Sequence, residues 1–194
     1  MDTVRLVVAM TGASGVVYGK RLLEILSKER VETLLVLTRS AERILAHELE
    51  TTRQELAKLA KHIHDEDELT APISSGSYPT DGMVITPCSM KTLAGIACGF
   101  SDNLVLRAAD VTIKQGRRLI LVPRETPLSP IHLENMHKLA CIGVTILPAM
   151  PGFYHNPKTV EDLVDFVVGK ILDELNIRHS LYRRWTGRTL PANP

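Results

Sequence analysis

Four short runs in this chain are apolar almost from end to end: Val4 to Met10 (VRLVVAM), Thr33 to Leu37 (TLLVL), Gly82 to Pro87 (GMVITP) and Leu119 to Pro123 (LILVP). A strand with one wet face alternates apolar and polar residues. These do not, so each must be covered on both faces. Between them the period changes. Val16, Tyr18, Leu22, Leu23, Ile25 and Leu26 recur at helical spacing after the first run, and Leu163, Phe166, Val167, Ile171 and Leu175 do so near the end. Helical segments are also predicted at Lys91 to Gly99, Leu104 to Gln115 and His132 to Cys141, and Val144 to Leu147 reads as a fifth strand. Strands alternating with helices build a parallel sheet with helices on both faces, a doubly wound α/β domain. One domain is expected over residues 1–185, with 186–194 as a flexible tail. Ser40, Thr52 and Thr159 read as helix caps, and His62 to Pro79, rich in acids, Ser, Gly and Pro, reads as a long loop of the kind that often serves binding.

Composition narrows the function classes. The 194 residues are 44% hydrophobic and 23% charged, enough for a real core, and the formal net charge is +1. Such a chain has no global field to draw in nucleic acid or a membrane surface, so any anion site must be local. Three cysteines, Cys88, Cys98 and Cys141, without CxxC spacing, argue against a disulfide framework or a zinc site and for a reducing compartment. The first apolar run is too short for a signal-peptide core or a membrane span. The expected location is cytoplasmic.

Three motifs follow strands, at the edge where open α/β sheets bind ligands. Thr11-Gly12-Ala13-Ser14-Gly15 lets a backbone come close to a ligand ahead of a helix N-terminus, and would equally suit a plain strand-to-helix turn with Ser14 as cap. In Thr86-Pro87-Cys88-Ser89-Met90-Lys91-Thr92, Ser89 and Thr92 can donate to a phosphate or a heteroaromatic edge. Cys88 reads as a packed core thiol, and Lys91 reads equally as a solvated helix lysine. In Pro123-Arg124-Glu125-Thr126-Pro127, the arginine offers a bidentate anion clamp and the glutamate an acid or base; a surface ion pair is the plainer alternative. Lys114, Arg117, Arg118, Tyr154, His155, Lys170, Arg183, Arg184 and Trp185 would add cations and aromatic rings at a ligand edge.

MTGASG, SSGS, MVITPCSMKTLAGIACG, NLVLRAADV, LILVPRETPLS, IHLENM, LPAMPGFYH, VEDLVDFVVGKIL and the late RRW, in this order, resemble the signature blocks of the UbiX/Pad flavin prenyltransferases. They run from about Val4 to Trp185 and leave Glu50 to Thr70 unmatched. The resemblance implies a Rossmann-like or flavodoxin-like flavoprotein assembled as a homododecamer, with active sites between subunits. It implies FMN and dimethylallyl monophosphate as substrates, no metal, and a prenylated FMN product passed to a UbiD-type decarboxylase. Leu93, Ile96, Leu104 and Leu106 would then be buried in subunit contacts.

Matched block by block, the resemblance implies flavin contacts from Gly12, Ala13, Ser14, Thr38, Ser89, Met90, Lys91, Thr92 and Arg124. It implies substrate contacts from Arg107, Lys114, Arg124, Tyr154, Lys170 and Trp185. Ser14 and Glu125 would be the catalytic pair, with Glu125 taking the proton lost at C6 of the flavin. Trp185 would shelter the allyl cation, or simply pack on the tail. Two other readings are an FMN-dependent decarboxylase of the cysteine type, which relies on a histidine near the first helix, and a flavin-carrier subunit of a decarboxylase complex. The chain has no histidine before His47, which argues against the former.

Overall fold

The structure, a computed structural model, describes residues 4–187. Strand β1 (Val4–Met10) lies at the centre of a six-stranded sheet, pairing in parallel with β2 (Val31–Leu37) on one side and β4 (Gly82–Cys88) on the other. Beyond β2 lies β3 (His62–Asp65); beyond β4 lie β5 (Arg118–Pro123) and the short β6 (Thr145–Ile146), all parallel. The order is β3-β2-β1-β4-β5-β6. The register sets Val8 beside both Leu35 and Val84, and all three are fully buried, as end-to-end apolar strands require.

One sheet face, with Val7, Ala9, Leu34, Val36, Ile85 and Leu121, shares a core with α4 (Met90–Ala97), α5 (Leu104–Lys114) and α6 (Pro130–Cys141). Against the sheet also lies α1 (Val16–Leu26), with α2 (Arg39–Leu49) packed on it. The expected interface residues Leu93, Ile96, Leu104 and Leu106 belong to this core, at 7% exposure or less, so they are not available for subunit contacts. The exposed apolar side chains of this region are others, among them Phe100, Ile131, Leu133 and Ile142.

The fold class agrees with the doubly wound sheet read from sequence, with corrections. The segment from His62 is not all loop. Its first four residues form β3, a polar edge strand (HIHD) that lacks the apolar run by which the others are legible. Thr38, not Ser40, caps α2, accepting the Ala41 amide at 3.1 Å, and Ser40 lies inside the helix. Thr52 does cap a helix, the short α3 (Arg53–Ala57), in a capping box with Glu55. Pro87 stays within β4 rather than ending it, since Cys88 still pairs with Pro123.

The chain divides into two compact units, Met1–Ala149 with the whole sheet and Met150–Pro194. The second unit carries α7 (Val160–Glu174), which starts at Thr159 in a capping box with Asp162. Of the expected tail, residues 188–194 lie outside the described residues. Among the described residues no helix is long and apolar enough to cross a membrane.

Candidate active site

From β1 the chain winds toward β2 and β3, and from β4 toward β5 and β6, so the loops leaving these two neighbours diverge. That divergence opens a crevice at their carboxyl ends, where doubly wound sheets take ligands. Thr11 ties its two sides together. The Thr11 hydroxyl donates to the Pro87 carbonyl at 2.9 Å and accepts the Ser89 amide at 2.8 Å, and the Thr11 amide reaches the same carbonyl at 3.1 Å. Above this bridge lies a cleft of about 280 Å³.

The cleft is lined by most of the flavin contacts expected from sequence: Gly12, Ala13, Thr38, Ser89, Met90, Lys91, Thr92 and Arg124, together with Glu125. Gly12 is there because α2 comes close; a Cβ at this position would stand 2.6 Å from Ser40 Cβ. Ser89 caps α4, its hydroxyl accepting the Thr92 amide at 3.2 Å and lying 3.0 Å from the Thr92 hydroxyl. That hydroxyl pair uses one of its two protons, which leaves the other for a ligand. The amides of Met90 and Lys91 open α4 and have no partner within the helix, so they offer two more donors.

Arg124 donates from Nε to the Ser14 carbonyl at 3.3 Å, and its terminal nitrogens have no protein partner among the described residues. No ion pair joins Arg124 to Glu125, which removes the plainer reading of that dipeptide; among the described residues Glu125 accepts only the Thr126 amide, at 3.1 Å. Ser14 does not line the cleft, although its carbonyl is the seat of Arg124. The cap of α1 is Gly15 and makes no side-chain bond, so the Ser14 hydroxyl is not consumed as a helix cap. Burial pushes the Cys88 thiol up, only partly offset by the Leu93 amide, so this cysteine is a core residue and not a thiolate nucleophile.

Several expected residues lie elsewhere. Arg107 donates to the Ser74 carbonyl and to Asp110, each at 3.0 Å, and so fastens the SSGS stretch. Lys114 closes the eleven-residue α5, about 15 Å from the end that meets the cleft. Arg117 bonds the carbonyls of Gly76 and Tyr78, and Arg118 opens β5 at the edge of the sheet opposite the cleft, so neither serves the ligand edge of its own chain. In the second unit, Tyr154 meets Trp185 edge-on at 6.1 Å, and Lys170 Nζ lies 3.7 Å from Asp173.

Other residues line the cleft that were not named as contacts from sequence: Thr11, Ser40, Glu66, Asn103 and Leu106. Two of them had a signal: Thr11 opens the turn motif after the first strand, and Glu66 falls in the acid-rich stretch marked for binding. Glu48 was also missed; from α2 it accepts the Gly15 amide at 2.9 Å, one residue from Ser14. Among the described residues no group of three or more His, Cys, Asp or Glu is placed to hold a metal ion.

Backbone amides, small hydroxyls and an open guanidinium around a slot walled by Gly12 and Ala13 fit a flat heteroaromatic carrying a phosphate, and flavin mononucleotide is one. The Flavoprotein family model matches residues 1–172. Flavin prenyltransferase UbiX of Methanothermobacter thermautotrophicus is 50% identical over 185 residues, 95% of this chain and 97% of that protein. The chain belongs to the flavin prenyltransferase family. AnUbiX (PadA1), solved in complex with FMN and dimethylallyl pyrophosphate, superposes with a TM-score of 0.94 at 44% identity, over 97% of this chain and all of that one (100%). A dodecameric FMN-dependent UbiX-like decarboxylase from Escherichia coli O157:H7 gives 0.93 at 49% identity, over 94% and 100%. The FMN-dependent cysteine decarboxylase TvaF, at 21% identity and 0.61 over 74% of this chain and 89% of its own, shares the fold alone.

Proposed function

We propose that the protein is a flavin prenyltransferase that moves the dimethylallyl group of dimethylallyl monophosphate onto N5 and C6 of reduced FMN, in the cytoplasm. The product, prenylated FMN, would serve a UbiD-type decarboxylase. The observation that carries this reading is Arg124: one nitrogen anchored on the β1–α1 turn, two left open at the cleft, and an unpaired carboxylate, Glu125, beside it. An arginine so held is a preorganised phosphate clamp, and a carboxylate next to it can take a proton without first breaking an ion pair.

FMN would be held by Gly12, Ala13, Thr38, Ser89, Met90, Lys91, Thr92 and Arg124, and when bound and reduced it supplies the nucleophilic positions. Ionising an allylic phosphate separates negative charge on phosphate from positive charge on carbon. Arg124, Lys114, Lys170 and the Tyr154 hydroxyl stabilise the first, with Arg107 supporting them, and the Trp185 ring stabilises the second. Ser14 orients the reacting edge, and Glu125 takes the proton that ring closure at C6 releases. Because Lys114 stands at the far end of α5 from its own cleft, we place it in the site of a neighbouring copy within a homododecamer. The exposed Phe100, Ile131, Leu133 and Ile142 provide apolar surface for such contacts.

The test is direct. Purified protein is mixed anaerobically with reduced FMN and dimethylallyl monophosphate, and the released flavin is weighed. A mass gain of one isoprenyl unit is expected, with a changed absorbance spectrum that reports the new fused ring; unmodified flavin after prolonged incubation overturns the reading and favours a carrier role.

A further inference from the structure

Near the end of α7 stands a charged hub whose centre, Asp173, has no part in the scheme above. Asp173 accepts hydrogen bonds from the Tyr182 hydroxyl at 2.6 Å, Arg184 Nη2 at 2.6 Å and His179 Nε2 at 3.1 Å. Lys170 Nζ is its fourth partner, at 3.7 Å. His179 Nδ1 accepts the Leu181 amide at 3.2 Å, which places the ring proton on Nε2, facing Asp173. Burial opposes ionisation of Asp173, but the bonds from Arg184, Tyr182 and His179 outweigh it and hold the carboxyl well below the usual carboxylate range.

A separate feature marks the same place. A Cβ on Gly169, one turn before Asp173, would stand 2.6 Å from the Tyr182 ring and 2.7 Å from the His179 ring. Glycine is a poor residue for a helix interior, and here it is the seat on which the returning chain lies. From that seat ring contacts continue inward, Tyr182 to Phe166 at 4.9 Å and Phe166 to Tyr154 at 5.7 Å, and Trp185 meets Tyr154 edge-on.

We propose that Asp173 and Gly169 are positioning residues: they seat residues 178–185 on α7 so that Trp185 stands against Tyr154, with Lys170 held on the same carboxylate until an anionic substrate takes it. The inference rests on the prenyltransfer reading for the roles of Tyr154, Lys170 and Trp185. Arg184 holds Asp173 at the shorter distance, so Lys170 is the partner that a phosphate can draw away without unseating the segment.

Trp185 is the sole tryptophan of the chain, so intrinsic fluorescence reports its placement with no need of activity. Asp173→Asn removes the charge. Gly169→Ala improves helix propensity while blocking the seat, so loss of secondary structure cannot explain its effect. Each variant of the full chain is compared with wild type by acrylamide quenching and anisotropy of Trp185, circular dichroism, FMN binding, and KM against kcat for dimethylallyl monophosphate. Expected in both are native circular dichroism, unchanged FMN binding, a more mobile and more quenchable Trp185, and a KM raised by roughly tenfold or more. Native quenching and anisotropy in both variants overturns the proposal, as does a freed Trp185 with unchanged kinetic constants. Failure of wild type to prenylate flavin sinks the prenyltransfer reading instead, and leaves the fluorescence to decide whether the segment is seated.

Discussion

Replacing Thr11 by valine tests whether the cleft depends on the bridge between β1 and β4. Thr11 is 1% exposed, and valine keeps its shape while removing the hydroxyl. Two bonds are lost, but their consequences differ. The Pro87 carbonyl keeps the Thr11 amide at 3.1 Å, whereas the Ser89 amide loses its partner. An ordinary hydrogen bond contributes about 1 kcal/mol, and stranding a buried amide costs about 1–3 kcal/mol. Ser89 is only half-buried, so water offsets part of that, and the added methyl returns up to about 0.8 kcal/mol. The net loss is about 1–3 kcal/mol, which in a chain of this size lowers Tm by roughly 3–10 °C. Because the freed amide belongs to the residue that caps α4, FMN retention should fall as well, by roughly tenfold. A control lies in the same sheet. Thr33 is 2% exposed and its hydroxyl has no partner among the described residues, so Thr33→Val should be neutral or slightly stabilising. Thermal melts and FMN titrations at one protein concentration give the comparison. If Thr11→Val behaves like Thr33→Val in both assays, the bridge does not organise the cleft.

Gly12→Ala should lower FMN affinity by pushing α2 outward, and adding Ser40→Gly should restore much of it; a double-mutant cycle showing plain additivity would contradict the close approach seen here. Glu125→Gln should still bind FMN and dimethylallyl monophosphate but form the cyclised product ~100- to 10,000-fold more slowly in single-turnover assays read by absorbance, since the uncyclised N5 adduct has the same mass; near-normal cyclisation would remove Glu125 as the base. In native protein at mildly alkaline pH, a maleimide should label the exposed Cys98 and Cys141 and spare Cys88, whose thiol burial pushes up; peptide mapping that finds Cys88 labelled as fast as the others would show its pocket to be open.

Much of this protein was legible in its sequence, for a physical reason. Strands covered on both faces must be apolar throughout, and the residues that follow them must turn sharply, so β1, β2, β4 and β5 and the three motifs at their ends announce themselves. The same logic hides β3, a polar edge strand with little to bury. Partnership is the part that sequence does not encode locally. Thr11 and Ser89 are 78 residues apart, and only the sheet order makes them neighbours. Leu93 and Leu104 read as subunit-contact residues until the sheet face they cover is known. Lys114 reads as a ligand-edge cation until the length of α5 carries it away. Asp173 looks like any helix carboxylate until the returning chain brings His179, Tyr182 and Arg184 onto it. Periodicity and turn chemistry act between near neighbours in the chain, so sequence records them. Bridges, clashes and shared ion pairs join residues that only the folded backbone brings together.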